Sequence, residues 1–293
     1  MSQHSRAAAD AAVDATAGSF IDALIIAFQS EAGRAGYASD LRWAAGLCRA
    51  TWGEEQIWAG LVHVRCGRKK RTHLMYAADM EDTARIRWLL ARGATTELRD
   101  ADGMTALHHI LFSNEAACAL IEAGADVNAR TKLGITPVYF SSLFGAVDVL
   151  QTLIAAGADV NLSINTGQTP VYGAIMYNKV DALRILVANG AAVNTVDTLG
   201  QSPLYTASAH GHVDALRVLI AAGADVNTST RFSRQTPVYV ACEKDDPNSL
   251  RILIAAGADV NFAARDGSTP LSTARAISPT SEVVHLLVAA GAR

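Results

Sequence analysis

Along the last three-quarters of the chain, apolar residues recur in pairs of short clusters separated by polar, glycine-marked breaks. Val147, Val149, Leu150, Leu153 and Ile154 share one face at helical spacing, as do Val180, Leu183, Leu186 and Val187. Ahead of each lies a shorter apolar run, residues 138–144 in the first case, opened by Thr-Pro and closed at a break such as Gly145. The Thr hydroxyl caps free N–H groups and Pro fits the first helical turn, so each pair of runs predicts two short helices. The second helix stops at Gly157 or Gly190, where a left-handed C-cap costs glycine least.

The pattern repeats in register. Thr136-Pro137-Val138-Tyr139, Thr169-Pro170-Val171-Tyr172, Ser202-Pro203-Leu204-Tyr205, Thr236-Pro237-Val238-Tyr239 and Thr269-Pro270-Leu271 begin 33, 33, 34 and 33 residues apart. Gly124, Gly157, Gly190, Gly223 and Gly257 keep the same beat, each followed by Ala-Asp-Val-Asn or, after Gly190, Ala-Ala-Val-Asn. Thr105-Ala106-Leu107-His108 and Thr72-His73-Leu74-Met75 extend the series upstream, giving seven units over residues 72–293, with starts at 72, 105, 136, 169, 202, 236 and 269. One unit of two short helices and a loop cannot bury its apolar face by itself, whereas stacked units share a continuous core.

On these residues the chain resembles the ankyrin repeat proteins: the period, the Thr-Pro-Leu-His-like opening and the Gly-Ala-Asp-Val-Asn close all match. The resemblance implies an all-α solenoid whose partners sit on a concave face made by loop tips and first helices. Tyr139, Tyr172, Tyr205 and Tyr239 stand where the family has His, which His108 keeps. The family His ties neighbouring loops together, and a Tyr hydroxyl is expected to do the same. Local distortion is expected in two places. The unit at Thr105 is two residues short before its Gly124, and Arg231-Phe232-Ser233-Arg234 carries one extra residue where a turn Gly belongs.

Residues 1–71 lack the repeat. Residues 1–18 read as a flexible leader and 19–71 as a helical cap, with helices over 20–30 and 40–49 and a third from a Thr51–Glu54 capping box to His63. Ile57, Trp58, Leu61 and Val62 give that third helix an apolar face suited to covering the first repeat. A looser second resemblance, to an F-box, runs through Leu41-Arg42-Trp43, Leu47-Cys48-Arg49, Trp52 and Trp58. Its Cys-Arg-x-Trp-like element has an extra residue here and the leading Leu-Pro is missing. It implies, as the alternative function, a substrate adaptor of a cullin-type ubiquitin ligase.

Composition narrows the chemistry. Half of the 293 residues are hydrophobic and 18% charged, enough to bury a core. The formal charge of −3 predicts no general attraction for nucleic acid. The longest N-terminal apolar run, residues 20–28, is interrupted by Asp22 and too short for a membrane span, so no membrane partner is expected. Four scattered cysteines without a CxxC pair suit a reduced, cytoplasmic chain, with the nucleus as the alternative compartment. No Walker loop, GxGxxG, HExxH or GxSxG is present, so catalysis and a cofactor are not expected. Cys48, His63, Cys66 and His73 hold one tight ligand pair where structural zinc uses two, so no metal is expected either. Arg68-Lys69-Lys70-Arg71 reads as a solvated turn after a helix end, against a nuclear-import or anion-contact alternative.

The expected function is therefore a non-catalytic scaffold, monomeric, that binds a protein partner. The candidate residues at the first-helix ends are Phe140, Leu143, Phe144, Met176, Tyr177, His210, Glu243 and Lys244. Those at the loop tips are Arg130, Lys132, Asn165, Arg231, Phe232 and Arg234. Phe140, Leu143, Phe144, Met176 and Tyr177 would make an aromatic and aliphatic patch across two units, with packing into the stack as the alternative for Phe140 and Leu143.

Overall fold

The computed structural model describes residues 69–293. The expected leader, cap helices, F-box-like stretch and three of the four Cys/His candidates lie outside the described residues. Within them the chain is all α-helical, with thirteen α-helices and one 3₁₀ helix. The first unit holds α1 (His73–Asp79) and α2 (Thr83–Leu90), and the second a 3₁₀ helix (Ala106–His109) and α3 (Asn114–Glu122). Then follow α4 (Pro137–Phe144) with α5 (Val147–Ala155), α6 (Pro170–Met176) with α7 (Val180–Ala188), and α8 (Pro203–Ala209) with α9 (Val213–Ala221). The last two pairs are α10 (Pro237–Glu243) with α11 (Pro247–Ala255), and α12 (Pro270–Ile277) with α13 (Glu282–Ala289).

First helices stack on first helices and second on second, α4 on α6 on α8 and α5 on α7 on α9, while each pair also packs within its unit. One core runs through all seven units, built from Leu107, Leu120, Leu150, Leu183, Leu216, Leu250 and Leu287 and their neighbours. Truncating such a leucine to alanine costs about 3 kcal/mol. Gly173 sets the spacing of α4 and α6: a Cβ there would lie 3.2 Å from the Tyr139 carbonyl oxygen. The helices start as the sequence predicts. Thr136, Ser202, Thr236 and Thr269 accept from the backbone N–H three residues on, with Pro in the first turn. The shortened second unit keeps its Thr105 but winds its four-residue first helix as a 3₁₀ turn, which is how it absorbs the missing residues.

Two ladders join the units. Each loop folds back as a finger, and its backbone N–H donates to a carbonyl of the finger before it: Lys132 to Asp102 (3.0 Å), Asn165 to Leu133 (2.9 Å), Thr198 to Thr166 (2.9 Å) and Arg231 to Leu199 (3.0 Å). Gly200 shows why a finger needs glycine. It has φ +76°, and a Cβ would sit 2.5 Å from the Arg231 nitrogen. The Asp-Val-Asn close makes the second ladder. Asp159 Oδ1 accepts from Asn161 N–H to form a tight turn. Asn161 then reaches the next unit, accepting from Ala192 N–H at 2.8 Å and donating to Gly190 O at 3.3 Å. Asn128, Asn194 and Asn261 repeat the clasp, and Glu97 takes the accepting role in the first unit.

In the last helix Val284 and Leu287 pack inward and Val288 is exposed.

Candidate functional site

The residues at the His position of the repeat are internal ties. His108 is fully buried. Its Nδ1 accepts from Thr105 N–H at 3.1 Å, and Nε2 lies 3.1 Å from the Ile135 carbonyl of the next unit, which fixes a neutral ring. Burial pushes its pKa down to about 3, against the opposing pull of the Ile135 carbonyl. The tyrosines do as expected where their hydroxyls are bonded. Tyr172 Oη lies 2.8 Å from Thr195 O and 2.7 Å from Gln201 O, and Tyr239 Oη 2.7 Å from Ser268 Oγ, each reaching the following finger. Tyr205 makes a longer bond of 3.4 Å to Gln235 Oε1. Burial raises the phenols of Tyr139 and Tyr172 above their ordinary value, so both stay protonated and can donate.

The finger edge presents the loop-tip candidates to solvent. Arg130, Lys132, Asn165, Arg231, Phe232 and Arg234 are all exposed, Phe232 by 59%. Arg130 donates through Nη2 to the Ser163 carbonyl at 2.7 Å, and Asn165 through Nδ2 to Lys132 O at 2.9 Å, so both also brace the next or previous finger. Arg99, which the sequence reading passed over, lies on the same edge and bonds to the Arg130 and Gly103 carbonyls.

The first-helix ends divide. His210, Glu243 and Lys244 are exposed and Phe144, Met176 and Tyr177 half-buried. Phe140 (4% exposed) and Leu143 (1%) are not surface residues, which corrects their assignment as partner contacts. They sit in a second apolar cluster with Tyr139 of α4 and with Met104, Ile135 and Ile164, which three successive fingers bring to it. Phe140 serves as a floor: its ring meets His108 edge-on at 6.2 Å, and Phe144 stacks on it at 6.2 Å and 15°. Phe144 thus has one face held and part of its surface open.

The structure also adds two residues that the sequence reading missed. Met80 (53% exposed) and Phe112 (58%) occupy the ends of the first helices in units one and two. Their backbones are joined through Glu81, whose Oε1 accepts from the N–H groups of Leu111 and Phe112. With Phe144 and Tyr177 they form a row of one large apolar residue per unit over four units. The row continues at the same register as His210, Lys244 and Ile277. The signal was available as the eighth residue after each unit-opening Thr or Ser, with Phe112 displaced by the shortening of its unit.

Other candidates turn out to be structural. Arg71, read from sequence as part of a solvated basic run, is buried: Nη1 lies 2.5 Å from Asp79 Oδ2 and Nε 3.5 Å from Asp100 Oδ2. His109 Nδ1 donates to Asp79 Oδ1 at 2.7 Å. Burial raises the Asp79 carboxyl, but His109 and Arg71 outweigh it and hold the group below the usual carboxylate range. Lys69 and Lys70 remain exposed, Lys69 paired with Asp102 at 2.8 Å. Cys242 is buried and its thiol is pushed up to about 12 by that burial, which removes it as a nucleophile. Among the described residues no helix is long and apolar enough to cross a membrane.

Comparison with known proteins agrees with this architecture. A family model described as ankyrin repeats (3 copies) matches residues 53–131, 74–164 and 138–230. Its first match begins upstream of the first unit read from the sequence. Among solved structures, the chain is similar to the human ASB11 ankyrin repeat domain at 25% identity and a TM-score of 0.66, covering 75% of this chain and 98% of that one. It shares its fold with the ankyrin repeat domain of Bcl-3, described as a unique member of the IkappaB protein family, at 22% identity and a TM-score of 0.66, over 75% of this chain and 100% of that one.

Proposed function

The chain belongs to the ankyrin-repeat family, and from that premise we propose that it is a monomeric, non-catalytic scaffold that captures a protein partner across its first-helix ends and finger tips. Ankyrin repeats are in general protein-interaction modules and typically non-catalytic. The finer reading rests on one observation above all: the row Met80, Phe112, Phe144 and Tyr177, one large apolar side chain per unit, exposed at Met80 and Phe112 and half-buried over the second apolar cluster at Phe144 and Tyr177. A rigid stack holds these side chains in fixed order, so little conformational entropy is lost when a partner docks. Aromatic side chains in a row of this kind are where binding energy concentrates.

The test is affinity capture from cell extract with the wild-type chain beside a Phe144→Ala/Tyr177→Ala double variant. The reading expects a reproducible set of partners that the double variant loses while its thermal unfolding moves little. Equal capture by both would refute the placement of the surface. A large drop in stability would assign both rings to the core.

A further inference from the structure

The fifth finger differs from the others. Fingers one to four and six close between a backbone N–H and the carbonyl four residues on, as Thr131 does with Ile135 in the second and Ala264 with Ser268 in the sixth. The fifth closes from Thr230 to Gln235, one residue further. Arg234 (φ +56°) takes the left-handed position that Gly134, Gly167, Gly200 and Gly267 hold elsewhere. The extra residue places three guanidinium groups and two rings together. Arg231 Cζ is 6.0 Å from the Phe232 ring centre and Arg234 Cζ 5.2 Å from that of Phe262, while Arg265 Nη1 donates to Phe232 O at 3.3 Å. Arg231, Phe232, Arg234 and Arg265 are all exposed. Among the described residues, none of these three arginines is paired with a carboxylate.

Three unneutralised guanidinium groups beside an open phenyl ring call for a partner with carboxylates next to an apolar side chain. Arginine binds carboxylates in a planar, bidentate fashion and gives up its hydration more readily than lysine. The chain as a whole carries a formal charge of −3, which opposes a long polyanion. Asp266 is exposed on the sixth finger, next in sequence to Arg265, with its Oδ1 engaged by Ser268.

We propose that the fifth-finger cluster anchors an acidic segment of the protein partner, its carboxylates on Arg231, Arg234 and Arg265 and a neighbouring apolar side chain against Phe232. This rests on the protein-binding reading above and narrows the partner's chemistry.

The experiment is selection of a displayed random-peptide library on the full chain at physiological salt, with a fluorescent single-stranded RNA oligonucleotide titrated in parallel. Selected peptides should be rich in Asp and Glu beside Leu, Phe or Trp. Their affinity should fall about tenfold or more in an Arg231→Glu/Arg234→Glu/Arg265→Glu variant. It should weaken with added salt, and stay unchanged in Arg217→Glu, a charge reversal at an exposed arginine of α9. All three arginines are exposed, so an unchanged melting curve checks that the variant folds. Peptides without acidic enrichment, indifferent to the charge reversal but lost with Phe144 and Tyr177, overturn the proposal and leave protein binding standing. Selection of no peptide, or RNA binding that the charge reversal abolishes while peptide binding is unaffected, overturns the anchor as well.

Discussion

At the scale of single residues, the buried polar groups mark where this stack is most exposed to changes in conditions. His108 is neutral in the folded chain, with a pKa of about 3 against about 6.5 when unfolded. Below pH 6.5 the unfolded chain therefore binds a proton that the folded chain refuses. The contribution is complete above about pH 6.5 and declines at up to about 1.4 kcal/mol per pH unit as the pH falls toward 3. Denaturant unfolding at pH 7 and pH 5 should differ by about 2 kcal/mol from this group, and His108→Gln should lose that part of the slope. A slope unchanged in the variant would show that His108 is not the group responsible. Arg71 gives a second prediction. Removing it leaves the buried Asp79 and Asp100 with His109 as their remaining neighbour, so Arg71→Met should cost about 3–5 kcal/mol in unfolding free energy. A loss below about 1 kcal/mol would mean that water reaches the pair. The sequence could not reveal this burial: the arginine sits at the end of a basic run, Asp79 and Asp100 come from opposite ends of the first unit, and His109 comes from the second.

At the scale of elements, the helices and fingers follow from short-range signals, which is why the sequence displays them openly. Thr-Pro fixes a helix start, glycine fixes every finger but the fifth and the end of each second helix, and the recurring Asn clasps the next unit. The distortions at Thr105 and at residues 231–234 were readable for the same reason, as departures from a count. What the pattern could not separate was core from surface at Phe140 and Leu143. Three or four residues' spacing on a helix serves either purpose, and the decision lies with Met104, Ile135 and Ile164, which arrive from separate fingers. Met80 and Phe112 escaped for the converse reason, since a large apolar residue at a helix end reads as core until its neighbours are placed. The clasp is directly testable. Asn161→Ala removes one acceptor for Ala192 N–H and one donor to Gly190 O, so it should cost about 1–2 kcal/mol. Amide exchange should quicken first at the joint between the third and fourth units, and uniform quickening along the chain would argue against a local clasp.

At the scale of the whole molecule, the proposed partner surface lies at the first-helix ends and finger tips, beside the core and ladders that hold the stack together. The apolar core and the two ladders make neighbouring units lean on one another, so stability accumulates from near-neighbour terms. The row of first-helix ends and the basic finger edge share part of that work, through Phe144 stacked on Phe140 and through Arg130 and Asn165 bonded to neighbouring fingers, and keep the rest of their surface exposed. They change character along the stack, from Met80, Phe112, Phe144 and Tyr177 in the first four units to His210 and Lys244 beyond, with the arginine cluster at the fifth finger. This gives the surface a direction, so a partner would engage it in one orientation. The most direct measurement is amide hydrogen exchange of the full chain with and without a captured partner. The account predicts slowed exchange in the first-helix ends at residues 80–82, 111–113, 144–146 and 177–179 and in the finger at 230–235. Slowing confined to the second helices α5, α7, α9 and α11, with those segments unchanged, would contradict it.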